Sequence, residues 1–229
     1  TRLGPKRACT EGWVTLPAMR RCLVVTTALA CLVGLPLVCF GGWEMVLVGA
    51  ACVLFCFLYT TLLAQHGMGD VLVLLFFGLV PVCLTYYVTM PPASQTITAQ
   101  VVWASLACGL VIDTLLVVNN YRDYDQDRAV GKKTLIVRIG RERAEQLYGW
   151  LGNIATYMMW GCLVLGDSSF VLMLVCFACF VPYALLHGAT RVQMRRIGRG
   201  RELNKVLGMT ARNMFVFGVT TAIVTLFIL

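Results

Sequence analysis

Long apolar runs alternate with short polar segments throughout this chain. Seven runs can be drawn, over residues 19–40, 43–60, 71–89, 96–118, 144–165, 169–187 and 208–229. Each falls within the ~17–25 residues that a helix needs to cross the hydrocarbon core of a bilayer. In lipid, every backbone N–H and C=O must be satisfied within the structure, which favours helices. The pattern therefore predicts an all-α, polytopic transmembrane bundle with seven spans. Pro81 sits inside the third run and predicts a kink there, and Pro36 and Pro182 are candidates for the same effect. Trp13, Trp43, Trp150, Tyr86 and Tyr87 fall near run ends, where amphipathic rings favour the membrane–water interface.

The connections are of two kinds. Gly41-Gly42, residues 90–95 and residues 166–169 are short and carry no Lys or Arg. All 19 Lys and Arg residues lie in three windows: Arg2 to Arg21, Arg122 to Arg143, and Arg191 to Arg212. Seven alternating spans place these windows on one side, as the positive-inside rule requires. The N-terminal segment and residues 61–70 are then expected on the cytoplasmic side and the C-terminus on the other. The expected location is the cell's inner (cytoplasmic) membrane, crossed several times.

Composition agrees with this reading. The chain is 59% hydrophobic and 13% charged, with a mean hydropathy of +0.79, which excludes an ordinary soluble domain. The net charge of +8 suggests no nucleic-acid partner, because each basic window abuts a span; the partner it implies is the lipid bilayer. Residues 189–206 form a basic connection suited to anionic headgroups. Most of the 11 cysteines lie inside apolar runs and read as small packing residues. Cys176-Phe-Ala-Cys179 has metal-ligand spacing, but it lies mid-run and has no second ligand pair.

The chemistry concentrates where the fourth run meets water. Residues 119–135 hold three carboxylates (Asp123, Asp125, Asp127) and four cations (Arg122, Arg128, Lys132, Lys133). Asp123 and Asp127 are four residues apart and share a helical face, with Asn119 four residues before them. Two such carboxylates suit Mg2+, which takes one or two protein carboxylates together with phosphate oxygens. Arg122, Lys132 and Lys133 would neutralise the rest of a diphosphate. Asp125 is rotated by about 200° from Asp123 at ~100° per residue and is left out of the metal set. The bland alternative is a solvated loop of i,i+4 ion pairs, but Asn119 and Asn120 inside the helix end serve no purpose in such a loop. Asp113 lies about 15 Å deeper, ten residues earlier at ~1.5 Å each. An ionisable group at that depth is a functional candidate; structural and pocket roles both stay open for it.

The run Asn119-Asn-x-Arg-Asp-x-x-x-Asp127-x-x-x-Gly-Lys-x-Thr-Leu135, followed by Val137-Arg-x-Gly140, resembles the second Asp-rich motif of the UbiA-type membrane prenyltransferases. Within them it is most similar to the branch that prenylates 1,4-dihydroxy-2-naphthoate in menaquinone synthesis. Gly4-Pro-x-Arg7 with Gly12 resembles the loop after the family's first Asp-rich motif. Gly67-x-Gly-Asp70, Phe76-Phe-Gly78 and Tyr86-Tyr87 resemble a later loop and the span that follows it. The resemblance covers essentially the whole chain.

What this resemblance implies is a nine-helix bundle around a central cavity, of which residues 1–229 are one domain lacking the first two helices. The first Asp-rich motif is absent from these residues, so either the sequence is N-terminally incomplete or it is a shortened, inactive relative. The implied activity is transfer of a polyprenyl group from polyprenyl diphosphate to 1,4-dihydroxy-2-naphthoate, with Mg2+ as cofactor and loss of carbon dioxide. Asp123 and Asp127 take the metal-binding, catalytic role. Asn119, Asn120, Arg122, Lys132 and Lys133 take the diphosphate. Tyr59 and Arg138 are expected at the substrate. Asp70 is expected either to take part at the acceptor or to cap the following helix, and His66 to be solvated or to accept a proton. Rival readings are a related enzyme with another acceptor, a cation-binding transporter and a non-catalytic subunit; paired broken helices in two related halves would mark a transporter, and no such halves are visible.

Overall fold

A computed structural model describes residues 3–61, 63, 67–165 and 169–227, and every regular element among them is helical. In order these are α1 (Leu16–Gly34), α2 (Val38–Gly41), α3 (Glu44–Thr61), α4 (Gly69–Val73), α5 (Val80–Thr89), α6 (Ala99–Arg122), α7 (Tyr124–Ala129), α8 (Leu135–Ile139), α9 (Arg141–Leu165), α10 (Phe170–Ile197) and α11 (Leu203–Phe227). Short 3-10 turns lie at Leu35–Leu37 and Pro92–Ser94. His66 lies outside the described residues.

Among the described residues, five helical stretches are long and apolar enough to cross a membrane: Leu16–Gly41, Gly69–Thr89, Ala99–Arg122, Phe170–Ile197 and Leu203–Leu226. The other two expected spans are also helices. Glu44–Tyr59 is apolar but shorter. Arg141–Leu165 has the length but opens on charged residues and is not among the five.

The three prolines behave differently. Pro36 sits in the 3-10 turn between α1 and α2. Pro182 lies inside α10, which continues through it. Pro81 follows a π-helical turn, Leu74–Leu79, that joins α4 to α5. Proline has no N–H and its ring crowds the preceding turn; a widened turn accommodates both, and such turns are frequent at functional sites.

Helix α6 is the centre of the bundle, packed against α9, α11 and the α4–α5 unit. It meets the α4–α5 unit glycine to glycine. A Cβ on Gly78 would lie 2.7 Å from the Ser105 carbonyl oxygen and 2.8 Å from Gly109 Cα. Small residues allow this approach, which is how helices associate in lipid. One apolar core joins Val111, Ala155, Phe180, Tyr183 and Phe217. A second, toward the polar end, joins Val118, Tyr121, Ile136, Tyr148 and Val206. Helix α1 buries none of its residues, as suits a segment whose apolar surface faces hydrocarbon.

The basic windows converge at one end of the bundle. Arg141 Nη1 donates to the Gly198 carbonyl at 2.6 Å, Arg191 Nε to the Glu145 carbonyl at 2.9 Å, and Asn204 Nδ2 to the Leu3 carbonyl at 3.2 Å.

Candidate active site

Helix α6 ends at Arg122, and Asp123 carries the break (φ −88°, ψ 4°) from which α7 starts. The break is small. The Asp127 N–H still donates to the Asp123 carbonyl at 2.8 Å and the Asp123 N–H to the Asn119 carbonyl at 3.2 Å. Asn119, Asp123 and Asp127 therefore keep the i,i+4 relation along the turn.

Each carboxylate has a cation. Arg122 holds Asp123 in a fork, with Nε to Oδ1 and Nη2 to Oδ2 both 2.8 Å. The same guanidinium donates from Nη2 to Asn119 Oδ1 at 2.8 Å and from Nη1 to Asn204 Oδ1 at 2.9 Å. Its side chain is 3% exposed. Lys132 donates to Asp127 Oδ2 at 3.2 Å. Partial burial raises the Asp127 carboxyl above its ordinary range; Lys132 pulls it down, Asp123 pushes it up and Arg122 pulls it down. A carboxylate whose charge is disfavoured by burial gains from an added cation.

Asp125 turns away from this pair. It is paired with Arg141 at 3.0 Å and is largely exposed. The Arg141 guanidinium lies 4.9 Å above the Tyr121 ring and 4.8 Å above that of Tyr124, which seats α7 against the start of α9.

A cavity of about 850 Å³ opens between α3, the α4–α5 unit, α6 and α11. Its walls are mostly apolar: Phe55, Phe76, Phe77, Ile112, Leu115 and Leu207 are among them. Tyr59, Asn119 and Arg122 supply its polar lining together with Cys52 and Cys56, and Pro5 from the N-terminal segment also touches it. Asn119 and Arg122 are the last two α6 residues on this face, so the polar groups stand at one end of an apolar chamber.

A second, much smaller cavity of about 20 Å³ is lined by Tyr59, Asp70, Leu116, Asn120, Lys132 and Thr134. That is room for about one water molecule. Tyr59 and Leu116 line both cavities. Four of the expected diphosphate residues thus divide between the two cavities: Asn119 and Arg122 line the large chamber, while Asn120 and Lys132 line the small one with Asp70. Asp70 does not cap α4, whose N-cap is Met68. Asp70 Oδ1 and Asp113 Oδ1 are both buried without a hydrogen-bond partner. Thr114, the next residue of α6, donates to the Val111 carbonyl rather than to Asp113.

Lys133 and Arg138 lie to one side. Both are exposed. Gly67, with φ +74°, packs between them: a Cβ there would stand 2.6 Å from the Lys133 carbonyl oxygen and 3.4 Å from Arg138 Nε.

Among the described residues, no three His, Cys, Asp or Glu side chains converge on a closed metal cage. Asp123 and Asp127, each paired with a cation, match the one or two carboxylates that Mg2+ usually takes from a protein. The sequence reading missed Asn204, Pro5 and the α11 wall. Asn204 lies 82 residues from Arg122, and no local spacing connects them; its one signal is an uncharged polar residue at the head of an apolar run.

No solved structure matches the chain significantly. The 1,4-dihydroxy-2-naphthoate octaprenyltransferase of Escherichia coli (strain K12) is 31% identical over 193 residues, covering 80% of this chain and 56% of that protein. The chain thus spans little more than half of that relative's length. The proteins of the same name from Mycobacterium tuberculosis and Mycobacterium leprae are 33% and 31% identical over 96% of this chain, which covers 73% and 72% of them. Residues 2–206 match the UbiA prenyltransferase family, and the chain belongs to that family.

Proposed function

We propose that this chain is the greater part of a membrane prenyltransferase that moves a polyprenyl group from polyprenyl diphosphate to 1,4-dihydroxy-2-naphthoate, releasing carbon dioxide and diphosphate and giving demethylmenaquinol. The observation that carries this reading is the large apolar chamber with Asn119 and Arg122 at one end. A prenyl diphosphate has the same division, a hydrocarbon tail and a strongly charged head. The names of the three relatives supply the acceptor.

On this reading residues 1–229 form a single domain corresponding to helices three to nine of a nine-helix bundle, with seven spans. The polar end, where the basic windows meet, faces the cytoplasm across the inner membrane. Mg2+ held by Asp123 and Asp127 would supply positive charge that stabilises the diphosphate as it leaves.

Arg122 and Lys132, already the counter-charges of those carboxylates, add fixed positive charge beside the leaving group. Asn119 offers an amide at the chamber's polar end. The carbon–oxygen bond of the prenyl diphosphate breaks, and the bonding electrons leave with the diphosphate. Phe55, Phe76 and Phe77 wall the chamber, exclude water from the allylic cation and offer ring faces to its charge. Tyr59, shared by both cavities, stands where the acceptor ring meets the cation, with Asp70 beside it. The ring carbon that bears the carboxylate attacks, and the carboxylate departs as carbon dioxide. Arg138 and Lys133, both exposed, would meet the anionic acceptor as it enters.

The test is product formation. The full-length protein in membranes, given Mg2+, a polyprenyl diphosphate and 1,4-dihydroxy-2-naphthoate, is expected to yield demethylmenaquinol by mass, or the demethylmenaquinone that oxygen makes of it during work-up, and EDTA is expected to stop it. Intact protein that prenylates only a different aromatic acceptor would overturn the naphthoate assignment. Intact protein that prenylates none would favour a transporter or a non-catalytic subunit.

A further inference from the structure

Arg122 is the most heavily engaged cation of the site. It is almost fully buried, and its fork on Asp123 and its bond to Asn119 come from its own helix turn. Among the described residues its remaining hydrogen-bond partner is remote: Nη1 donates to Asn204 Oδ1 at 2.9 Å, from the first turn of α11. Asn204 then donates from Nδ2 to the Leu3 carbonyl at 3.2 Å. The next residue, Gly4, lies directly against the guanidinium, where a Cβ would stand 2.9 Å from Nη2 and 3.3 Å from Cζ. Pro5 follows and touches the large cavity. One amide therefore accepts from the buried guanidinium and donates to the segment that lies over it.

We infer that Asn204 is a positioning residue for Arg122, which ties residues 3–5 across the polar end of the chamber and holds the guanidinium where a diphosphate would sit. The inference rests on the reading of the chamber as a prenyl diphosphate site. An amide suits this task because it carries an acceptor and a donor on one rigid plane. A carboxylate would satisfy Arg122 but not the Leu3 carbonyl, and an apolar residue would satisfy neither. A buried guanidinium left short of a partner turns toward others, and Asp123 and Asn119 are the nearest.

The consequence is selective. Losing the Asn204 amide should weaken the diphosphate end without touching the acceptor end, which lies across Tyr59. Asn204 is itself exposed, so its replacement leaves the cores in place.

The full chain, purified in detergent, is titrated with magnesium pyrophosphate by thermal shift. Its KM values for farnesyl diphosphate and for 1,4-dihydroxy-2-naphthoate are measured separately. Asn204→Ala is expected to weaken pyrophosphate binding and raise the farnesyl diphosphate KM about tenfold, the scale of one hydrogen bond to a charged group, with the naphthoate KM unchanged. Asn204→Asp, which restores a partner for Nη1, is expected to recover most of the loss. In an Arg122→Lys background, Asn204→Ala is expected to add little, because the two residues act as one unit. Unchanged pyrophosphate binding in Asn204→Ala would overturn the inference. So would an equal rise in both KM values, or full additivity with Arg122→Lys. Should the unmutated chain bind pyrophosphate yet prenylate no naphthoate, the acceptor assignment fails, and the pyrophosphate titration still decides the role of Asn204.

Discussion

The two carboxylates of the Asp motif differ in what they hold, so their variants should differ in more than activity. Asp123 neutralises a guanidinium that is 3% exposed, whereas Asp127 faces a lysine that is one-third exposed. Either substitution, Asp123→Ala or Asp127→Ala, is expected to lower prenyl transfer by about a hundredfold or more, by analogy with the loss of a preorganised electrostatic group. Only Asp123→Ala should also lower the melting temperature clearly, because it strands a buried charge; circular dichroism melts in detergent separate the two effects. Wild-type turnover in either variant would remove it from the metal pair. Asp113 makes the opposite prediction. Its Oδ1 is buried in α6 without a partner, a cost of about 1–3 kcal/mol for such a group. Asp113→Val keeps the branch and removes the oxygens, so it should raise the melting temperature. If it also abolishes transfer, the side chain belongs to the substrate pocket rather than to the scaffold.

Among the elements, the contact that decides the chamber's shape is the crossing of α6 with the α4–α5 unit at Gly109 and Gly78. The atoms a Cβ on Gly78 would meet are backbone atoms of α6, and they cannot swing aside as a side chain would. Gly78→Ala is therefore expected to force the helices apart and cost about 1–3 kcal/mol, the usual range for overpacking. It should also change the chamber walled by Phe76 and Phe77, shifting the preferred prenyl chain length, which product profiles with donors of two lengths would reveal. Unaltered stability would show that the crossing relaxes freely. Both glycines are visible in the sequence as small residues in apolar runs, but no spacing rule pairs Gly78 with Gly109. The π-helical turn before Pro81 was foreshadowed only as a kink, because proline dictates that the ladder be interrupted while the neighbouring helices choose the form.

For the whole molecule, sidedness is the open physical prediction. Segments holding the three basic windows are tied together at one end of the bundle, and the positive-inside rule places that end in the cytoplasm. Cys9 is exposed on the N-terminal segment at that end. In a background lacking the other cysteines, an impermeant thiol reagent should label it in inverted vesicles and not in intact cells; the reverse would invert the topology. Much of this architecture was legible in the chain alone. Apolar run lengths determined that the elements are membrane helices, because a backbone in hydrocarbon has few alternatives. The stripe at Asn119, Asp123 and Asp127 was legible too, because i,i+4 spacing is a local property of one helix turn. Tertiary structure decided the rest. It divided adjacent Asn119 and Asn120 between two cavities, gave Arg122 a partner from α11, and left one carboxylate oxygen each of Asp70 and Asp113 without a partner. Those outcomes depend on which helices meet, and contacts between helices far apart in sequence leave no periodic trace in either one.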